Sequence, residues 1–173
     1  MIYTIGHSTR SQAEFFSLLK AHDVVRLADV RTVPQSRRFP HFGQEALAAA
    51  ANREGIEYRH FRDLGGLRKA RPDSTNTAWQ HGGFRGYADY MESTAFERAL
   101  DELVEWAHDP LHGTAVMCAE AVWWRCHRQL IADALCARGI DVAHVVGKGP
   151  ASPHRLTSFA RVTGGRVRYP GLI

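Results

Sequence analysis

Apolar and polar positions along the 173-residue chain change rhythm several times, and each change marks a strand or a helix. The opening "MIYTIGHS" is a β-rich run. "SQAE" at 11–14 then has the spacing of a capping box, in which the Ser and Glu side chains each satisfy a free amide at a helix start. Behind it Phe15, Phe16, Leu18, Leu19 and His22 recur at helical spacing, and "VVRLADV" at 24–30 reads as the next buried strand. The two prolines of "RTVPQSRRFPHF" at 31–42 oppose both regular structures, so this segment is expected to be a loop. "GQEALAAAANREG" predicts a helix closed by Gly55, and "IEYRHF" a third strand.

Residues 64–83 are polar and glycine-rich, the signature of a long loop, and 84–109 read as two helices, the second starting near Ser93 or Thr94. "TAVMC" at 114–118 predicts a buried strand, "RCHRQLIADALCARG" a helix ending at Gly139, and "IDVAHVV" a further strand. The tail "ARVTGGRVRYPG" predicts a hairpin, or a short helix feeding an edge strand. Strands alternating with helices place the chain in the α/β class: a mostly parallel, Rossmann-like sheet with helices on both faces. No shift in composition breaks residues 1–173, so one domain is expected.

Composition narrows the partners. With 45% hydrophobic and 23% charged residues the chain has the balance of a soluble globular protein, without repeats or low-complexity tracts. The start "MIYTIGHSTR" lacks the basic and apolar regions of a signal peptide, and no run approaches the roughly 18 apolar residues of a membrane span. A cytoplasmic location without a membrane partner is therefore expected. Three cysteines, an odd number, argue for free thiols over a disulfide framework. Lys20, Lys69 and Lys148 stand against 19 arginines in a chain of net charge +4. Guanidinium forks suit phosphate and carboxylate, although a GC-rich genome produces the same bias.

The chemistry-bearing residues collect where a parallel sheet would gather them, in the loops after the carboxyl ends of its strands. His7 and Ser8 follow the first strand, Asp29 and Arg31 the second, and Cys118 and Glu120 the later one. Around that last junction stand Cys118, Glu120, Arg125, Cys126, His127 and Arg128. On a helical wheel His127 lies at the centre of the apolar face formed by Leu130, Ile131, Ala134, Leu135 and Ala137. Cys126 and Arg128 then flank it, while Gln129, Asp133 and Cys136 point to solvent. Free amides of the first turn, with Arg125 and Arg128, would attract an anion. Taken singly, an inward His, a buried Cys or an Arg128–Glu120 pair has an ordinary structural explanation; six such residues around one junction point to a functional rim.

Three chemistries compete there. Cys118 as a thiolate nucleophile would resemble phosphatases or sulfurtransferases. However, six residues separate it from Arg125, not the five of the Cys-phosphatase signature, and "VWW" is too bulky for an anion cradle. A metal site from Cys118, Cys126 and His127 lacks a C-x-x-C pair, and neighbours on a helix point about 100° apart, so a distant ligand such as His7 would be needed and no metal is expected. The third chemistry uses Glu120 or Asp29 as general base, with His127 or the arginines as electrostatic stabilisers.

The blocks "TIGHS" at 4–8, "DVR" at 29–31 followed by "PQSRRFP", "YRHFRDLGGLR" at 58–68, "FRGYADYM" at 84–91, "CAE" at 118–120 and "CHR" at 126–128 resemble, in the same order, family 488 of the domains of unknown function. The resemblance runs from residue 2 to about residue 145 and implies a single α/β domain with a shared polar site, but no substrate. Its motif residues fall on His7, Ser8, Asp29, Arg31, Pro34, Ser36, Arg37, Gly65, Gly66, Arg68, Tyr87, Cys118, Glu120, Cys126, His127 and Arg128. The linker "AVWW" departs from the polar linker usual in the family, so Trp123 and Trp124 are either core aromatics or stack on a base.

The expectation is an enzyme acting on a phosphate-bearing ligand, a nucleotide or nucleic acid, at the carboxyl rim. Glu120, Asp29, His127 and Cys118 are the catalytic candidates. His7, Ser8, Arg31, Arg37, Arg68, Arg125, Cys126 and Arg128 are the ligand-binding candidates. The rivals are a non-enzymatic nucleotide or nucleic-acid binding module and a cysteine-based redox or metal site. No cofactor follows from the sequence.

Overall fold

A computed structural model describes residues 1–171. In chain order the elements are β1 (Ile2–Gly6), α1 (Gln12–Lys20), β2 (Val24–Asp29), α2 (Gln44–Arg53), β3 (Glu57–His60), α3 (Gly82–Tyr90), α4 (Thr94–Trp106), β4 (Gly113–Cys118), α5 (Arg128–Ala137), β5 (Val142–Val145), β6 (Ser152–Pro153), β7 (Arg161–Thr163) and β8 (Arg166–Arg168). Strands β3-β2-β4-β1-β5-β6 form one sheet, parallel except for β6, which runs against β5; β7 and β8 make a separate hairpin.

The two-residue period of the strands sorts their side chains between two cores. Ile5, Leu27, Ala115, Met117 and Val145 pack with Phe15, Leu19 and Leu47 of α1 and α2. Their neighbours Ile2, Ala28, Val116, Cys118 and Val142 pack with Tyr87, Leu100, Leu130 and Leu135 of α3, α4 and α5. Apolar runs rather than alternation are what a parallel sheet covered on both faces requires.

Local signals set the helix ends. The Ser11 hydroxyl accepts from the Glu14 amide at 3.1 Å, while the Glu14 carboxylate lies 3.8 Å from Arg10, so only half of the capping box forms. Ser93 caps α4 through the Phe96 amide. Gly55 and Gly139, with φ of 73° and 76°, adopt the left-handed conformation that ends α2 and α5. The tail forms the hairpin alternative, turning at Gly164 and Gly165.

Two expectations fail. Helix α5 starts at Arg128, because a 3-10 turn at Trp123–Arg125 and an extended Cys126 (φ −141°, ψ 152°) precede it. The helical wheel therefore does not govern Cys126. Asp133, expected in solvent, is fully buried, since its carboxylate accepts from His154 Nε2 at 2.8 Å, the Thr157 amide at 2.9 Å and the Tyr169 hydroxyl at 2.8 Å. These partners come from the tail, which folds over that flank of α5.

The strand order positions the site. Neighbouring strands β1 and β4 send their following segments to opposite faces, β1 to α1 and β4 to α5. A crevice opens where such connections diverge, outside the carboxyl ends of the strands. Among the described residues, no helix is long and apolar enough to cross a membrane.

Candidate functional site at the carboxyl rim

The loops after β1 and β4 are stitched together: the His7 amide donates to the Cys118 carbonyl at 3.0 Å and the Ser8 amide to the Ala119 carbonyl at 2.9 Å. Gly6 permits this approach, because a Cβ there would lie 1.8 Å from the Glu120 carbonyl oxygen. Two clefts flank the seam. One, of about 610 Å³, is bounded by Ser8, Thr9, Thr32, Gln35, Arg38 and Phe39. The other, of about 420 Å³, is bounded by His81, Phe84, Tyr87, Trp124 and Arg125. They share Gly66, Leu67, Cys118, Glu120 and His127, so these residues form the ridge between them. The Glu120 side chain is exposed there, and among the described residues its carboxylate has neither an ion pair nor a hydrogen-bond partner.

Beneath Glu120 lie Cys118, Cys126 and His127, whose sulfur and nitrogen ligand atoms all fall within 4.8 Å of one another. His127 Nε2 donates to the Val30 carbonyl at 2.9 Å, which leaves Nδ1 facing Cys126 Sγ at 3.6 Å. Arg128 Nε donates to the same sulfur at 3.4 Å. The two thiols are unlike. The neighbouring Cys118 thiol, then His127 and Arg128, hold Cys126 well below the ordinary thiol range against the effect of burial. The neighbouring Cys126 sulfur and burial push Cys118 up. The extended backbone at Cys126 brings its sulfur to His127, which a helix would have prevented.

The other expected residues have structural tasks. Asp29 is fully buried and accepts from the Arg31 amide (3.1 Å), Nε (2.9 Å) and Nη2 (2.6 Å), and from the Tyr58 hydroxyl (2.6 Å). It has no face toward either cleft, so a proton-transfer role for Asp29 does not fit this geometry. Arg31 spends its remaining nitrogen mainly on the Phe42 carbonyl at 2.8 Å. His7 stacks on Phe42 with ring centroids 4.4 Å apart and donates from Nδ1 to the Ser8 carbonyl. Burial, reinforced by Arg31 and opposed by the Ser8 bond, lowers its pKa from 6.5 to about 4, so the ring is neutral. Arg128 is buried and donates to the Glu120 backbone carbonyl, not to its carboxylate. The amides of Gln129 and Leu130 donate to the Cys126 and His127 carbonyls, so these two are not free for an anion.

Arg68 stacks over Tyr90 at 3.6 Å and bonds the Gly65 carbonyl. Arg37 is exposed and lines neither cleft. Arg125 does line one, and Arg38, which the sequence reasoning passed over, lines the other; neither has an ion pair among the described residues. Trp123 stacks on His144 at 4.0 Å, whereas Trp124 is 51% exposed beside the second cleft. Trp79 belongs to an aromatic cluster with Phe84, Phe159 and Tyr169, so residues 70–83 are anchored at that point. Tyr58 went unassigned, and Gly66 was named only as a motif residue of the resemblance; both lie in the blocks quoted above, but only the three-dimensional pairing shows Tyr58 on Asp29 and Gly66 against His127.

The sequence pattern of the Domain of unknown function DUF488 matches residues 11–135. The chain belongs to this family. The matched span takes in Asp29, Gly66, Cys118, Glu120, Cys126 and His127, while "TIGHS" precedes it. No curated protein and no solved structure matches the chain.

Proposed function

We propose that this DUF488 member is an enzyme acting on a phosphate-bearing ligand of nucleotide size, with Glu120 as the acid/base group. The observation that carries the reading is the Glu120 carboxylate, unpaired and exposed on the ridge where the two clefts meet above Cys118, Cys126 and His127. Ligand sites typically occupy about 300–1,000 Å³, and each cleft falls in that range. Arg38 on one side and Arg125 on the other supply cations not consumed by internal pairs, and the exposed Trp124 ring offers a face for a base. Arg31 and Arg128, buried in their own hydrogen bonds, hold the walls and do not clamp the ligand.

A thermal-shift screen of nucleotides, phosphosugars and short oligonucleotides tests this. A ligand of this class should stabilise the protein, and Arg38→Ala or Arg125→Ala should weaken the shift. With that ligand, Glu120→Gln should bind within about twofold of the parent and lose roughly 100-fold or more in turnover, the range of a lost acid/base group. Binding and turnover indifferent to all three substitutions would remove the proposal. Binding that needs the arginines, with no turnover of any ligand, would favour a non-enzymatic module.

A further inference from the structure

We infer that Cys118, Cys126 and His127 form a three-ligand site for a thiophilic divalent cation of the zinc class, with the fourth coordination position open to the clefts. This deepens the proposed function, since it puts a cation beneath Glu120, but the site itself stands on its own geometry.

Tetrahedral zinc sits about 2.3 Å from a thiolate sulfur and about 2.0–2.1 Å from an imidazole nitrogen, which sets a sulfur-to-nitrogen edge of roughly 3.5 Å. Cys126 Sγ and His127 Nδ1 are 3.6 Å apart. The Cys118 sulfur completes a triangle in which no ligand atom is more than 4.8 Å from another. The histidine is already oriented as a ligand: Nε2 donates to the Val30 carbonyl, so Nδ1 carries the lone pair. A backbone carbonyl on the far nitrogen is the usual support of a metal-bound histidine. Arg128 Nε donates to Cys126 Sγ, a contact that favours sulfur in its anionic form.

A Cβ at residue 66 would lie 3.0 Å from His127 Nδ1 and 3.4 Å from Cε1 and Cγ, over the face of the ring, so Gly66 lets the backbone pack on the imidazole and hold its orientation. Gly66, Cys118, Glu120 and His127 all line both clefts, so the three ligand side chains border the ligand-binding space. Two sulfurs and one imidazole select zinc-like cations over magnesium or calcium, which take oxygen. Three protein ligands with an open fourth position are the pattern of catalytic rather than structural zinc. A cation held by these three side chains would supply Lewis acidity at the open position.

Cobalt(II) titration of the reduced, metal-stripped full chain tests the site. One equivalent should produce the visible bands of tetrahedral cobalt together with thiolate-to-cobalt charge transfer, and added zinc should bleach both. Cys118→Ser and Cys126→Ser should each lose or displace the charge-transfer band, whereas Cys136→Ala, which removes the remaining thiol, should keep it. Gly66→Val, which keeps all three ligand side chains, should weaken cobalt binding by pushing the His127 ring out of place; its circular dichroism and thermal transition report whether it has folded. Absence of thiolate-cobalt charge transfer in the reduced parent, or its persistence without Cys118 and Cys126, overturns the site. Oxidation of these cysteines to a disulfide by an added disulfide oxidant, equally fast with and without cobalt, does the same and favours a redox pair. Cobalt binding without any anionic-ligand shift leaves the metal site standing and refutes the proposed function; the reverse pattern refutes only the metal.

Discussion

Replacing Asp29 separates a structural carboxylate from a catalytic one. Asp29 is fully buried, and its two oxygens take four hydrogen bonds, three from Arg31 and one from Tyr58. Asp29→Ala would leave the Arg31 guanidinium, only 6% exposed, with the Phe42 carbonyl as its principal acceptor, and would strand the Tyr58 hydroxyl as well. Breaking one side of a buried ion pair costs about 3–5 kcal/mol because the remaining charge stays desolvated. Against a total stability of about 5–15 kcal/mol that is a large fraction. For a chain of this size each kcal/mol moves the melting temperature by about 2–4 °C, so the transition should fall by roughly 6–20 °C. Urea unfolding with an unchanged m-value measures the loss directly. A double replacement, Asp29→Leu with Arg31→Met, should recover part of it, since removing both charges also removes the desolvation cost. A loss below about 1 kcal/mol, the scale of an exposed pair, would refute the structural assignment, and if turnover vanished at the same time Asp29 would return as the base.

Other consequences are as direct. Tyr58→Phe removes one neutral donor to a charged acceptor and should cost about 1.5–3 kcal/mol in urea unfolding; an unchanged midpoint would contradict the Asp29 network. Gly6→Ala would drive a methyl into the Glu120 carbonyl, so the variant should melt lower and bind rim ligands more weakly, and wild-type behaviour in both would mean that the two loops are not held in contact. Acid should destabilise the fold through His144, whose pKa is lowered from 6.5 to about 3 by burial, then by His154 and Arg128. The folded protein keeps this ring neutral, so between pH 6.5 and about 3 the unfolded chain binds more protons and stability falls as pH falls, by up to about 1.4 kcal/mol per pH unit. Unfolding curves at pH 7 and pH 5 should show a smaller difference for His144→Gln than for the parent; equal differences would exclude this histidine as the cause.

Elements were legible in the sequence because their signals are local. The Ser11 and Ser93 caps, the glycine stops at Gly55 and Gly139, and the apolar strand runs each act within a few residues, and the parallel topology then follows from alternation. The same topology correctly gathers His7, Asp29, Cys118 and Glu120 at one rim. What each residue does there depends on partners distant in sequence. Asp29 is engaged by Tyr58, His127 by the Val30 carbonyl, and Asp133 by His154 and Tyr169, and no spacing announces those pairs. The thiol and imidazole cluster was obscured for a specific reason: carrying the α5 helix back to Arg125 turns Cys126 away from His127. The 3-10 turn at Trp123–Arg125 and the extended Cys126 bring them together. The aromatic pair likewise divides only in three dimensions, Trp123 onto His144 and Trp124 into solvent.

Under the proposed function, the ligand reacts at the ridge that carries Glu120. A crystal structure of the protein with the phosphate-bearing compound that gives the largest thermal shift decides this. The ligand should lie across the ridge, with a polar atom within hydrogen-bond distance of the Glu120 carboxylate and its phosphate near Arg38 or Arg125. Density instead at the arginine-lined cleft of the β7–β8 hairpin, against Arg161, Arg166 and Arg168, with the rim empty, would contradict it.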